Sequence, residues 1–249
     1  MKKATESMKR TLLLYILSWF LLCNVLSSKG LFANGLYTEI EVPDGGCVAG
    51  YVKCTGNAGA PSIDLYAGWE LPRASQVISE KLTVNKVNNG VKNVIVSISD
   101  IEKGKKGVVP QIHPVIDQQR SVFIPRVTAI LAGTTVDLLN GDEEMHNVHT
   151  TSMRNQPFNF GMAYKQRISK KFDFPETVKL SCDIHKEYAW IVVFGNPYFD
   201  VTDRNGYFEI CDIPEGTYKF RVWHEELGKR EKEVMVRAKK IENIEFVYE

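Results

Sequence analysis

The stretch Thr177-Val178-Lys179-Leu180-Ser181-Cys182-Asp183-Ile184-His185 decides how this sequence is read. Its first five residues alternate in the manner of a half-buried strand. That strand runs directly into Cys-x-x-His, which lets a thiolate and an imidazole face one point from a single loop. Upstream, Ala132-Gly133-Thr134-Thr135-Val136-Asp137-Leu138-Leu139-Asn140 reads as a tight turn followed by a strand, and Asp142-Glu143-Glu144-Met145-His146-Asn147-Val148-His149 follows it. His146, about 36 residues before Cys182 on a neighbouring strand, offers a second imidazole. A trigonal set of two imidazoles and one thiolate selects copper in electron-transfer sites, where a weak axial ligand sits at a longer distance.

The rest of the chain has the same grammar. Val91 to Ser99, Phe123 to Leu131, Thr135 to Leu139, Trp190 to Phe194, Tyr207 to Ile210 and Thr217 to Val222 are short, β-branched and often alternating. Turn signals at Asn89-Gly90, Asn140-Gly141, Asn205-Gly206 and Pro214-Glu215-Gly216 separate them. No long helical stripe follows residue 33, so the expected class is all-β, a sandwich or barrel.

At the metal constellation the chain resembles the cupredoxins, most closely those of amicyanin type. The likeness lies in the G-T-T-V-x-x-x-N strand, the M-H-N-V-H segment and the C-x-x-H loop, in the right order and separation, from about Pro125 to Phe194. It implies a Greek-key cupredoxin β-sandwich holding one copper ion, Cu(I)/Cu(II), on His146, Cys182 and His185. It also implies that the Asn147 side chain ties the two ligand loops together. Two departures matter. The methionine expected three residues after the second histidine falls on Tyr188, and the loop Lys186-Glu187-Tyr188-Ala189 is about one residue short. Tyr188, Glu187 and, from elsewhere, Met162 are therefore the axial or near-axial candidates, with a distant or absent axial donor the expectation. Arg126 stands where the wider family tends to show a histidine after its proline.

The two ends of the chain stand apart from this middle. Val201 to Ile210 and Ile213 to Tyr218 resemble the second half of a carboxypeptidase-regulatory-like, transthyretin-like sandwich. Val48 to Val52 and Gly90 to Val96 look like its first half. The expected organisation is a signal at 1–33, a first half-sandwich at 38–104, a cupredoxin domain at 105–197 and a second half-sandwich at 198–249, with two tandem domains as the alternative. Neither end segment alone has enough strands to bury a core, and sandwich loops accept insertions. The fuller pattern, from VIDQQ to VWHEELG, is similar to bacterial secreted proteins that join a plastocyanin-like domain to a carboxypeptidase-regulatory-like one.

Charge and length set the outer bounds. The 249 residues suffice for one large or two small domains. Residues 1–33 hold five basic residues and one acid around the uncharged run Thr11 to Leu26, as an export signal or, alternatively, a membrane anchor would. The remainder carries 26 Lys and Arg against 29 Asp and Glu, a balance that suggests no nucleic-acid partner. Export to the periplasm or beyond implies an oxidising compartment. Cys47 and Cys54, an odd distance apart in one strand, would point to opposite faces, and either is open to pairing with Cys211.

His113, His149 and His224 form no cluster by spacing, Met145 reads as packing, and Trp190 reads as core. No Ser-His-Asp spacing, carboxylate pair or phosphate loop stands out, so no enzyme activity and no small-molecule substrate are expected. The expected function is one-electron transfer with a c-type cytochrome or another exported redox protein. Copper storage or delivery, or a surface module with a decayed site, is the alternative. Lys186 and Glu187 directly after His185 imply a docking rim of mixed charge.

Overall fold

The computed structural model describes residues 37–56 and 81–249. The export signal expected over 1–33 lies outside the described residues. Strands β1 (Thr38–Glu39), β2 (Gly46–Cys54), β3 (Ile95–Ile98) and β4 (Lys103–Gly104) come first. The middle of the chain forms β5 (Val115–Gln119), β6 (Val122–Ile124), β7 (Val127–Leu131), β8 (Thr134–Asn140), β9 (His146–Thr150), β10 (Asn159–Met162), β11 (Arg167–Phe172), β12 (Glu176–Cys182) and β13 (Glu187–Phe194). The end supplies β14 (Phe199–Val201), β15 (Tyr207–Ile213), β16 (Gly216–His224), β17 (Gly228–Val236) and β18 (Ile241–Tyr248). The described chain is all-β, as the alternation implies.

The nine middle strands make one sandwich. A five-stranded sheet in the order β10-β9-β12-β13-β7 faces a four-stranded sheet in the order β11-β8-β5-β6. Period-two alternation decides what lies between them. Val178, Leu180 and Cys182 of β12 and Ala189, Ile191 and Val193 of β13 point inward, against Ile116, Val136, Leu138 and Phe172 of the opposing sheet. The single run expected over Phe123 to Leu131 is two strands. Pro125 has no N–H to donate to a ladder, and the chain changes sheets there, β6 pairing with β5 and β7 with β13.

The outer strands make a second sandwich. A four-stranded sheet, β14-β3-β16-β17, faces a three-stranded sheet, β15-β2-β18. β2 pairs with β15 antiparallel and with β18 in parallel, and β3 pairs with β14 and β16. Strands from before residue 99 thus share sheets and a core with strands from after residue 198. Val48, Val52, Val96 and Ile98 pack with Phe208, Phe220, Val234 and Phe246. Two turn signals from opposite ends of the sequence meet here. A Cβ on Gly90 would lie 1.9 Å from the Asn205 carbonyl oxygen, and Gly206 has a left-handed φ of 77° with Val52 O 2.4 Å from where its Cβ would be. Only glycine allows backbones this close.

Cys47 and Cys211 form a disulfide between β2 and β15, and Cys54 is a free thiol buried in the second core. This pairing is compatible with an oxidising compartment. Between the sandwiches, Val127 and Val192 pack on Ile95 in a small third cluster. There the Trp190 and Trp223 rings meet edge to face at 5.5 Å.

Glu176, at the start of β12, organises the loop after β9. Its carboxylate accepts hydrogen bonds from the Ser152 hydroxyl, the Met153, Arg154 and Asn155 backbone N–H groups and the Asn155 side chain. Burial would raise its pKa, but these donors outweigh it and hold the group at about 2, against an ordinary 4.5. A carboxyl depressed in the fold stabilises above its unfolded pKa and loses that contribution as pH falls through its folded one. Glu176→Gln should therefore lower Tm at neutral pH, and the gap from wild type should close between pH 4.5 and about 2. Calorimetry across that range checks it; a gap unchanged at the acid end would refute the assignment.

Candidate metal centre

His146 opens β9, Cys182 ends β12 and His185 sits in the hairpin that joins β12 to β13. Cys182 and Glu187 are the closing pair of that hairpin, with Lys186 in the left-handed region at φ 59°. β12 and β9 are direct ladder neighbours, which brings residues distant in sequence to one end of the sandwich. The result is a convergent donor set: the ligand atoms of His146, Cys182 and His185 all lie within 4.8 Å of one another. Cys182 Sγ is 3.8 Å from His146 Nδ1 and 3.5 Å from His185 Nδ1. The two imidazole centroids are 4.4 Å apart. His146 and Cys182 are essentially fully buried, while the His185 side chain is 20% exposed and so gives the site its edge to solvent.

The surroundings fix this orientation. His146 Nε2 lies 2.9 Å from Asp142 Oδ2, leaving Nδ1 to face the sulfur. Asp142 is itself held by the Arg120 and Ser121 backbone N–H groups at 2.7 and 2.8 Å. The Asn140 side chain donates to the Glu144 and Met162 carbonyls, shaping the segment before His146. Asn147 accepts from the Asp183 N–H at 2.6 Å and donates to the Asp183 carboxylate at 3.0 Å. It therefore links the segment that carries His146 to the one that carries Cys182 and His185. Sequence reading marks Asn140 only as the end of the G-T-T-V-x-x-x-N strand and as a turn residue, and it gives Asp142 no role. The only signal for Asp142 is its position four residues before a candidate ligand histidine.

Electrostatics prepare the thiol. Burial alone would raise the Cys182 pKa; hydrogen bonds from His146 and His185 and from the Asn147 and His185 backbone bring it down to about 6. Burial would lower the His146 pKa, but the Cys182 sulfur and the Asp142 carboxylate raise it overall. Asp142 is held below the usual carboxylate range, its N–H donors and His146 outweighing desolvation. A low-pKa thiolate with two imidazoles is a donor set that fits a copper ion.

Two of the three axial candidates are corrected by the backbone. Because the hairpin closes at Glu187, the position three residues after His185 already belongs to β13. Tyr188 pairs with Ser181 and so faces away from Cys182. Its ring lies against the Arg126 guanidinium at 4.3 Å and Lys179 Nζ at 4.0 Å. Glu187 stands opposite Cys182, but its carboxylate is committed to Arg126 Nη1 at 3.2 Å, with both side chains buried. Glu187 is therefore not on the rim; the sign opposite to Lys186 comes there from Glu143, Glu144 and Asp183. In the two segments that carry His146 and His185 the exposed residues are Glu143, Glu144, Met145, Asp183, Ile184 and Lys186, two apolar side chains among mainly acidic ones, and Glu144 Oε2 lies 3.6 Å from His185 Nε2. Met162 is fully buried and pairs with His146 across β9 and β10, on the same face.

The remaining histidines lie apart from this set. His113 Nδ1 is 3.0 Å from Asp137 Oδ1, and His149 Nδ1 is 3.3 Å from Asp183 Oδ2. His224 is buried in the second sandwich, where desolvation lowers its pKa to about 4.

A scan of protein-family models and a search of curated proteins each gave no match. Solved structures do show likeness. A Cu-containing nitrite reductase from Thermus scotoductus SA-01 matches over 38% of this chain at 24% identity and a TM-score of 0.33; the match spans 24% of that enzyme. The reduced state of an amicyanin mutant matches over 34% of this chain and 86% of its own, at 22% identity and a TM-score of 0.31. A purple cupredoxin from Nitrosopumilus maritimus matches over 32% and 99%, at 20% identity and a TM-score of 0.29. The chemistry of the site rests on its own atoms.

The metal-free protein offers a direct check of those atoms. The ultraviolet absorbance of the Cys182 thiolate should rise with a midpoint near pH 6, and His146→Ala should move that midpoint upward. A midpoint at the ordinary thiol value in the wild type would show that the two imidazoles do not converge on the sulfur.

Proposed function

We propose that this chain is an exported, mononuclear copper protein whose function is one-electron transfer through His146, Cys182 and His185. The observation that carries the reading is the convergence of two imidazole Nδ1 atoms on one low-pKa sulfur, with His146 fixed from behind by Asp142. Soft thiolate and imidazole donors suit copper in both of its oxidation states. The donors are held by ladder strands and by hydrogen bonds to Asp142 and Asn147. Little ligand movement is then needed when the charge on the metal changes, which keeps the reorganisation cost of electron transfer low. Met162 is the axial candidate that remains, as a weak thioether donor from β10.

Around this site we place a transthyretin-like second sandwich, with the copper domain of residues 105–197 inserted between its halves 38–104 and 198–249. The protein acts as a carrier and not as an enzyme, and it works in the periplasm or outside the cell. Its partner is an exported redox protein such as a c-type cytochrome. The His185 edge, with Met145 and Ile184 exposed among Glu143, Glu144 and Asp183, suits a partner face that is apolar at its centre and cationic at its border.

One equivalent of Cu(II) should produce an intense visible thiolate-to-copper band and a matching electron-paramagnetic spectrum. Cys182→Ser should remove the band while circular dichroism stays that of the folded chain. No band in the wild type at full copper loading would sink the electron-transfer reading and favour a non-redox role. Met162→Leu keeps the volume of the core and should raise the reduction potential, because loss of a thioether favours Cu(I). An unchanged potential would leave the axial position to another group. Electron exchange with a cationic partner should slow as salt rises, since exposed border charges act mainly on encounter. A stopped-flow rate that does not vary with ionic strength would count against the acidic border.

A further inference from the structure

The hairpin that carries Cys182 and His185 is held from outside its own sandwich. Glu187 closes it, opposite Cys182 in the ladder of β12 and β13. Its carboxylate accepts from Arg126 Nη1 at 3.2 Å, and the two side chains are only 4% and 3% exposed. Arg126 spends its other donors on Glu225. Nη2 reaches Oε2 at 3.0 Å, and Nε makes a still closer contact with Oε1. Glu225 belongs to the turn between β16 and β17, in the second sandwich, and its side chain is 4% exposed. It takes a further hydrogen bond from Trp190 Nε1 at 2.9 Å. The Arg126 guanidinium also lies over the Tyr188 ring.

A buried carboxylate–guanidinium–carboxylate group is a poor source of stability. Desolvating three ions consumes most of their attraction, and apolar side chains of the same volume often do as well or better. What such a group supplies is direction. The planar guanidinium fork accepts a carboxylate in few arrangements, whereas the neighbouring Ile95, Val127 and Val192 contacts are non-directional. The triad is therefore suited to fixing where one end of β13 stands relative to the second sandwich, and that end is the closing pair of the ligand hairpin.

We propose that Glu225 is a positioning residue for the metal site. Acting through Arg126 on Glu187, it keeps the Cys182–Glu187 hairpin in the shape that converges Sγ and His185 Nδ1. The second sandwich is then a working part of the site and not an independent neighbour. What the hairpin holds rests on the copper reading above; the clamp itself consists of protein groups alone.

The test begins with the metal-free chain. Glu225→Gln keeps the size of the side chain and leaves the buried guanidinium with one carboxylate partner. Amide hydrogen exchange at Ile184 to Lys186 should speed up about tenfold, and after copper loading the thiolate band and the reduction potential should both shift. Val234→Ala supplies the control, because it opens a cavity in the second core without touching the triad. It should lower Tm while leaving exchange in the hairpin as in wild type. Should Glu225→Gln fail to fold, Arg126→Lys, which keeps the charge and loses the fork, is read in the same way. Unchanged hairpin exchange in the triad variant, or an equal rise in Val234→Ala, overturns the proposal. If the exchange pattern is as expected in a chain that yields no thiolate-copper band, the clamp stands and the copper reading falls.

Discussion

The antiparallel ladder between β12 and β13 is the constraint on which the site depends. Its register, Leu180 with Ala189, Ser181 with Tyr188 and Cys182 with Glu187, sends every second side chain into the sandwich core and the others out. That parity places the Cys182 sulfur inside and Tyr188 outside. A slip of one residue would exchange the two faces. The chain from Asp183 to Lys186 then has no freedom except to turn, and it delivers His185 over the end of the sheet pair. The tightness of this turn also removes the position from which a loop methionine would approach an ion held by these donors.

A second layer of polar contacts converts that backbone frame into a directed site. Asp142 fixes which nitrogen of His146 faces the sulfur, and Asn147 spans from one ligand loop to the other. Each of these groups is itself held, Asp142 by two backbone N–H donors and Asn147 also by Asn159. Protein groups thus fix the orientation of the two loops. On the copper reading proposed above, an imidazole–thiolate arrangement shaped by these contacts would give up little on binding the ion and would resist the change of geometry that each oxidation state prefers.

The two sandwiches meet where apolar and ionic contacts lie side by side. Ile95, Val127 and Val192 bury area without specifying an angle, while Arg126 between Glu187 and Glu225 specifies one. The outer sandwich itself depends on pairing across the whole chain, since β2 lies between β15 and β18 and is bonded to β15 by the Cys47–Cys211 disulfide. Its three-stranded sheet brings residues 46–54 together with 207–213 and 241–248.

Much of this was legible in the sequence because it is written in local patterns. Period-two alternation with Asn-Gly turns marks an all-β chain, and Cys-x-x-His at a strand end, preceded by His-Asn-x-His, marks the donor set. These depend on side-chain parity and spacing, which a strand conserves wherever it lies. The sequence could not say which cysteine would pair with Cys211, because that depends on which strands become neighbours. Nor could it say that Tyr188 faces away and that Glu187 is buried against Arg126, because both follow from where the hairpin closes. Arg126, Glu187 and Glu225 are separated by 61 and 99 residues and carry no local signal of their association. Only the tertiary structure, by desolvating all three at one junction, makes them partners.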